Sequence, residues 1–289
     1  MRASRPYEAV PTPKGIAVGA ALRNWREHRR YSQMGLALDA GISARHLSFV
    51  ENGRAQPSRD MLLRLCDVLQ VPHRESNTML LTAGYAPAFS ARPLADPGLA
   101  DVRQAMALIL KGLEPCPALA VDRHWTMVDA NRPAMAFSAN VAPELLTPPV
   151  NALRMSLHPK GMAPQIVNLA EWRTVILRRL AHEIDVTQDP VLVDLHRELT
   201  TYGAHFKTKG VDTAADESMG GSVPLLVPMQ LRTPHGVLSF WSTTTVFGSA
   251  MDTTIAELAI ETFLPADEQT RLALQAMAAS TPAETSFSA

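Results

Sequence analysis

Cysteine is nearly absent from this 289-residue chain, which has only Cys66 and Cys116. Two thiols build neither a disulfide framework nor a cysteine-based zinc site. Cys66 lies in a helical apolar pattern and reads as a reduced core thiol. Long apolar runs are also lacking. No stretch approaches the roughly 18 residues that a membrane-spanning helix needs. The first 30 residues hold no apolar core of signal-peptide type, and Pro6, Pro11 and Pro13 mark a loose arm. A soluble, cytoplasmic protein with no membrane partner is expected. Catalytic motifs are missing as well. His182 and Glu183 would open an HExxH zinc site, but position 186 is Val. The GGSVP segment lacks the spacing of a nucleophile elbow. There is no P-loop and no GxGxxG, and the nine His residues are scattered. No enzyme is expected.

What is present is a division of charge. Residues 1–92 hold 13 Lys and Arg against 7 Asp and Glu, and the remainder holds 14 against 21, within a net charge of −1. A basic first third joined to an acidic remainder is the balance expected where one domain meets a polyanion and the other does not. The length fits two domains. With 46% hydrophobic and 19% charged residues, wholesale disorder is excluded.

The helical pattern of residues 16–30, 33–40, 44–51, 59–69 and 74–83 comes in segments too short to stand alone, so one small bundle is predicted. Residues 86–102, with three prolines, read as a linker. Beyond it, 117–122 and 124–131 are strand candidates joined by a turn at Asp122-Arg123, and 132–139 reads as helix. A Pro-rich loop at 140–151 precedes amphipathic helices at 168–186 and 189–203, the second with Asp189 as cap before Pro190. Strands at 222–233 and 236–247 form a hairpin through Pro234-His235-Gly236. Residues 252–264 are expected to close the domain as a helix. Strands flanked by helices make an α+β unit. The predicted layout is an arm at 1–14, a DNA-binding domain at 15–85, the linker, a second domain at 103–278 and a tail at 279–289.

The most specific signal is QMGLALDAGISARHLSFVENG, residues 33–53. Two helices crossing in a helix-turn-helix need a small residue where the backbones approach, here Ala37, and a glycine in the tight turn, here Gly41. Leu36, Ala40, Ile42, Leu47 and Val50 fill the inward positions. Ser43 is a good cap for the second helix. That leaves Ala44, Arg45, Ser48, Phe49 and Asn52 on the outward face, with His46 beside them, to enter a DNA major groove. Arg45 is the best candidate to read guanine, because a guanidinium can bond O6 and N7 together. Phe49 is placed to touch a thymine methyl.

These residues carry a family resemblance. Residues 15–69 resemble the Xre family of λ-repressor-like helix-turn-helix domains, through Ser32-Gln33, Gly41 and SFVENGRAQPS (48–58). The resemblance implies that Gln33, Asn52 and Arg54 contact phosphates, and that Arg26 of the first helix joins Glu51 at the end of the reading helix. A longer resemblance, running through 15–275, is to the MmyB-like regulators. It rests on RHLSFVENGRAQPSRDMLLRL, VPHRESNTMLLTAGYAP, PALAVDRHWTMVDANRPA, LHPKGMAPQIVNLAEWR and LRTPHGVLSFWSTTTVFG. Cys66, Asp67 and Met219-Gly220-Gly221 depart from a typical member. The family implies an all-α bundle followed by an α+β PAS-like domain, with a bound fatty acid as the expected occupant of an apolar cavity.

The residues themselves offer Met127, Met135, Phe137, Met155, Trp172, Ile176, Phe240 and Trp241 as pocket lining, with Asn131, His158 and Arg173 as polar anchors for a head group. The same stripe also fits plain core. The expected partners are a double-stranded DNA operator, a small apolar ligand and a second copy of the chain. The alternatives are a DNA-tethered enzyme, a haem- or flavin-bearing sensor with Cys116 or a His as axial ligand, and a constitutive DNA-binding dimer without ligand.

Overall fold

A computed structural model describes residues 13–207, 227–247 and 252–280. The chain divides into two compact units. One is built on the residues up to Arg92, together with Asp252 and Thr253, and the other starts at Pro93. No helix among the described residues is long and apolar enough to cross a membrane.

The described residues of the first unit form five helices: α1 (Pro13–His28), α2 (Gln33–Asp39), α3 (Ala44–Glu51), α4 (Arg59–Val68) and α5 (His73–Ala83). Their starts are chemical. Ser32, Ser43 and Ser58 each accept a hydrogen bond from the N–H three residues on, which satisfies one orphan donor of α2, α3 and α4. Val18, Leu22 and Trp25, spaced on one stripe of α1, are buried against Leu36, Leu47, Val50, Leu62, Leu65 and Leu80. Each such side chain contributes about 1.5–3 kcal/mol by leaving water. Residues 86–92 fold back onto the unit. Asn77 accepts from the N–H groups of Ala88 and Phe89 and donates to the Phe89 carbonyl, and His73 stacks on Phe89 at 3.8 Å. Ser90 Oγ lies 2.5 Å from Asp252 Oδ2, which ties 252–253 to this unit.

The second unit opens with α6 (Ala100–Gly112), which begins within the last residues of the segment expected as linker. There follow β1 (Ala118–Val121), β2 (Met127–Ala130), α7 (Arg132–Phe137), α8 (Ala152–Leu157), α9 (Leu169–Thr187) and α10 (Pro190–Lys207). Then come β3 (Met229–Thr233), β4 (Gly236–Val246), α11 (Thr253–Ala256), β5 (Ala259–Pro265) and α12 (Glu268–Ser280). The sheet is antiparallel throughout, in the order β2-β1-β5-β4-β3. One face carries Leu119, Val121, Leu231, Leu238 and Phe240 into the main core with Trp172, Ile176, Leu180 and Leu199 of α9 and α10. The other carries Ala118, Ala120 and Ile260 against Met106 and Leu110 of α6.

The prediction that 252–264 closes as a helix is corrected here. Residues 259–265 are β5, the central strand, and only 253–256 make a single helical turn. A central strand is covered on both faces and loses the polar alternation that marks half-buried strands. Asp189 caps α10 as expected, its Oδ1 accepting from the Val191 N–H at 2.9 Å. Residues 222–226 of the predicted strand 222–233 lie outside the described residues, and β3 begins at Met229.

Candidate nucleic-acid interface and apolar core

In the first unit the reading helix is set by its two ends. Gly41 holds φ +65° between α2 and α3, and a Cβ there would meet nothing within 4 Å. The turn therefore demands glycine for its backbone conformation, not for space. Gly19 is the reverse case. A Cβ on it would lie 2.3 Å from the Val50 carbonyl oxygen and 2.7 Å from that of Glu51, so α1 touches the end of α3 backbone to backbone. An isolated glycine inside an amphipathic helix was the available sequence signal for this contact.

Beside that contact Arg26 forks onto Glu51, with Nε to Oε1 at 2.7 Å and a second nitrogen to Oε2 at 3.0 Å, while its third nitrogen donates to the Tyr31 carbonyl at 2.9 Å. The Glu51 hydrogen bonds raise the Arg26 pKa further above its ordinary value. Gln33, at the start of α2, donates to Glu51 Oε2 at 2.8 Å. One carboxylate thus gathers the first helix, the entry of α2 and the exit of α3. The resemblance implied the Arg26–Glu51 pair. It implied only phosphate contact for Gln33, whose amide nitrogen here already serves Glu51.

The outward residues fall on one side of α3. Arg45, Asn52 and Arg54 are exposed, and so is the capping Ser43; Ala44, His46, Ser48 and Phe49 are half-buried. The Arg45 guanidinium sits over the Phe49 ring, 5.5 Å from its centroid. This i, i+4 contact limits the wandering of a long cationic side chain without consuming its donors. Asn52 turns its amide nitrogen back to the Ser48 carbonyl at 2.8 Å, closing the end of the helix.

In the second unit Met127, Phe137, Met155, Trp172, Ile176 and Phe240 come from five elements, β2, α7, α8, α9 and β4, and all belong to the main apolar cluster or pack against it.

 Phe137 meets Phe240 edge to face at 5.7 Å. Two of the expected lining residues stand apart. Met135 is half-buried on α7 and outside that cluster. Trp241 is corrected outright: it neighbours Phe240 on one strand, successive side chains point to opposite faces, and it lies on the face away from the cluster.

The polar candidates are placed as follows. Asn131 is buried and caps α7. Its Oδ1 accepts from the Ala118 and Ala134 N–H groups, and its Nδ2 donates to the Leu110 and Cys116 carbonyls. Those four bonds use both donors and both lone pairs of the amide. Arg173 donates to the Thr200 carbonyl at 2.9 Å and lies flat against Gly203, where a Cβ would come within 2.8 Å of its Cζ. His158 accepts from the Lys160 N–H at 3.0 Å and meets the Tyr202 ring edge to face.

Sequence reasoning missed a polar network at the edge of this core. Arg179 forks onto Glu261 at 2.8 and 3.1 Å, reaches Glu183 at 3.2 Å and covers the Trp125 ring at 4.4 Å. Trp125 donates to Glu183, and the Ser242 and Thr244 hydroxyls donate to Glu261. The buried Glu261 is thereby fully paired.

A helix-turn-helix unit with an outward cationic face, joined to an α+β unit with an apolar interior, defines a DNA-binding transcription regulator. Residues 17–78 match a helix-turn-helix domain family, and residues 102–277 match the MmyB-like transcription regulator ligand binding domain. The chain belongs to the family of MmyB-like transcription regulators. Among solved structures it is similar to two of the clp gene regulator ClgR from Corynebacterium glutamicum. One is 29% identical over 25% of this chain and 91% of that chain, and the other is 24% identical over 37% and 99%, each with a TM-score of 0.23. An RNA-binding light-oxygen-voltage receptor is 12% identical over 92% of this chain and 66% of that chain, with a TM-score of 0.25. No curated protein matches the sequence.

Proposed function

We propose that this regulator reads an inverted-repeat operator as a dimer, and that its second domain is a PAS-like sensor of a fatty-acid-like molecule and not an enzyme. The observation that carries the sensor reading is the convergence of Met127, Phe137, Met155, Trp172, Ile176 and Phe240 on one apolar cluster. Methionines repack around flexible chains, and each buried methylene of a ligand contributes about 0.8 kcal/mol, so a long acyl chain binds there with few polar contacts. The antiparallel order β2-β1-β5-β4-β3 supports the PAS-like reading. Arg173 is the proposed head-group contact. Asn131 is set aside because its amide is fully occupied.

On the DNA side, Arg45 is the proposed base reader, with Ala44, His46, Ser48 and Phe49 along the groove and Gln33, Ser43, Asn52 and Arg54 toward the backbone. A single small module makes too few contacts for operator selectivity, and two-fold pairing sets half-sites whole helical turns apart, roughly 34 Å each.

Native mass spectrometry of freshly purified full-length protein, followed by thermal melts against C8 to C18 acids, tests the sensor. A lipid-sized adduct and a melting temperature that climbs with chain length until the site is full support it. A flat series with no copurified lipid overturns it and leaves a constitutive DNA-binding protein.

A further inference from the structure

The loop after the reading helix is held from behind. Arg54 is its exposed cation, and the Arg54 and Ala55 N–H groups donate to the Phe49 carbonyl. Further on, the loop is fastened to the end of α5. Gln56 donates to the Ala83 carbonyl at 2.7 Å, and the Tyr85 hydroxyl donates to the Pro57 carbonyl at 2.9 Å. From Tyr85 the chain passes Pro87, whose ring fixes its φ, into the stretch that Asn77 grips at Ala88 and Phe89. The next residue, Ser90, donates to Asp252. The Arg92 N–H reaches the same carboxylate oxygen at 3.4 Å, and the Thr253 N–H donates to the Ser90 carbonyl at 2.7 Å. Asp252 and Thr253 are only 7% and 4% exposed here, although 162 residues separate Asp252 from Ser90. A buried carboxylate is costly unless hydrogen bonds satisfy it, and the bonds that satisfy Asp252 fix where 90–92 lie.

We infer, on the proposed phosphate contact of Arg54, that Asp252 is a positioning residue of the DNA interface. Through residues 83–92 it sets the loop that carries Arg54. Every link is a hydrogen bond or a short, stiff stretch of chain, and all of them lie inside the first unit. Contiguous networks of this kind carry coupling between separated positions. The chain runs on from Thr253 into β5 at Ala259, so the second domain has a covalent hold on this grip. What is set in this way is contact with the DNA backbone and not base choice, because phosphate contacts carry no sequence information.

Titration of the full chain with operator and with random-sequence DNA, across a salt series, tests it. Asp252→Ala and Tyr85→Phe, the second a loss of one hydroxyl, are each expected to weaken both DNAs several-fold and alike. Each should also reduce the salt slope by up to about 0.9, the share of one phosphate contact. Asp252→Asn keeps an acceptor oxygen for Ser90 and is expected to stay within about twofold of the unaltered protein. A loss in Asp252→Asn equal to that in Asp252→Ala overturns the hydrogen bond as the link. Unchanged affinity and slope in a folded Asp252→Ala protein overturn the positioning role, and so does a changed base preference at constant slope. Hydrogen exchange reads the relay without DNA. Asp252→Ala is expected to speed exchange at Arg54 and Ala55 as well as at 88–92, and faster exchange confined to 88–92 overturns it. An unchanged slope in Arg54→Ala would remove the phosphate contact of Arg54 itself, and the exchange rates then decide separately whether Asp252 reaches the loop.

Discussion

Arg26 and Glu51, 25 residues apart, meet in a two-pronged ion pair at 2.7 and 3.0 Å, with the Glu51 side chain wholly buried. The reading helix is therefore fastened to the first helix by charge as well as by packing. Removing one partner leaves the other charged and dry, which costs about 3–5 kcal/mol. Arg26→Ala should destabilise the DNA-binding domain by about that amount in urea denaturation, and Gln33→Ala by less, because it removes one hydrogen bond of the three that Glu51 accepts. A loss under 1 kcal/mol for Arg26→Ala would place the pair among ordinary surface bridges.

Arg45→Ala should reduce specific operator affinity by about 1–3 kcal/mol and relax preference at one base pair. Phe49→Ala should reproduce part of this, since it removes the ring on which the guanidinium rests. Arg54→Ala should weaken all sequences alike and flatten the salt dependence. Binding-site selection with each variant distinguishes these outcomes, and an unchanged base preference in Arg45→Ala would remove it as a reader.

Gly19 and Gly41 of the DNA-binding domain should respond differently. Gly41→Ala meets open space and should cost about 1–2 kcal/mol through its left-handed backbone alone, with Gly41→Asn milder. Gly19→Ala drives a methyl into two carbonyl oxygens and must part α1 from α3. Its DNA affinity should fall even at temperatures where the domain remains folded. Equal behaviour of the two variants in melts and in binding would contradict the close contact.

The ligand-binding domain should lose stability in acid. The Arg154 guanidinium holds the Glu198 carboxyl below the usual carboxylate range, against the upward push of burial, and Tyr202 adds a hydrogen bond. Burial pushes Asp189 up, but bonds from His124 and the Val191 N–H outweigh it and leave it lowered. Carboxyls lowered in the fold bind fewer protons folded than unfolded. Their contribution is complete above the ordinary carboxylate pKa of about 4 and is lost as pH falls through the folded values. Melting temperatures measured from pH 7 to pH 3 should stay level and then drop. In Arg154→Met the drop should be shallower and the neutral-pH value lower; an equally steep drop would assign the acid limb to other groups.

Cys66 gives an opposite sign. Burial pushes its thiol up to about 11, so the unfolded chain ionises first and stability is lost as pH rises from about 9. Alkylation followed by mass spectrometry at pH 8 should label the half-buried Cys116 before Cys66, and labelling of Cys66 should track unfolding.

The sequence disclosed the first domain almost completely because three of its helices begin on serine caps and its turn on Gly41, all local chemistry. Glu51 was recognisable only through a family pattern, and Gln33's bond to it not at all. The second domain was legible where strands alternate, as in β4, and illegible at β5. There Ile255, Leu258 and Phe263 mimic a helical stripe, while Glu261 and Thr262 look like solvent-facing positions. Glu261 is buried because Arg179, 82 residues away, pairs with it. A charge hidden by a distant partner leaves no trace in a local window. The apolar cluster was visible as residue types, but strand parity alone would have separated Trp241 from Phe240.

The place of β5 has a consequence for synthesis. Among the described residues it is the last strand to be made and the middle one of the sheet, and it joins the β1–β2 hairpin to the β3–β4 hairpin. A nascent chain therefore carries a finished reading helix, whose core closes by residue 83, while the sheet is still two separate hairpins. Met127 and Phe240, which the proposed ligand site needs together, belong to different hairpins. The growing polypeptide gains the means to grip DNA well before it gains the means to be answerable to a ligand.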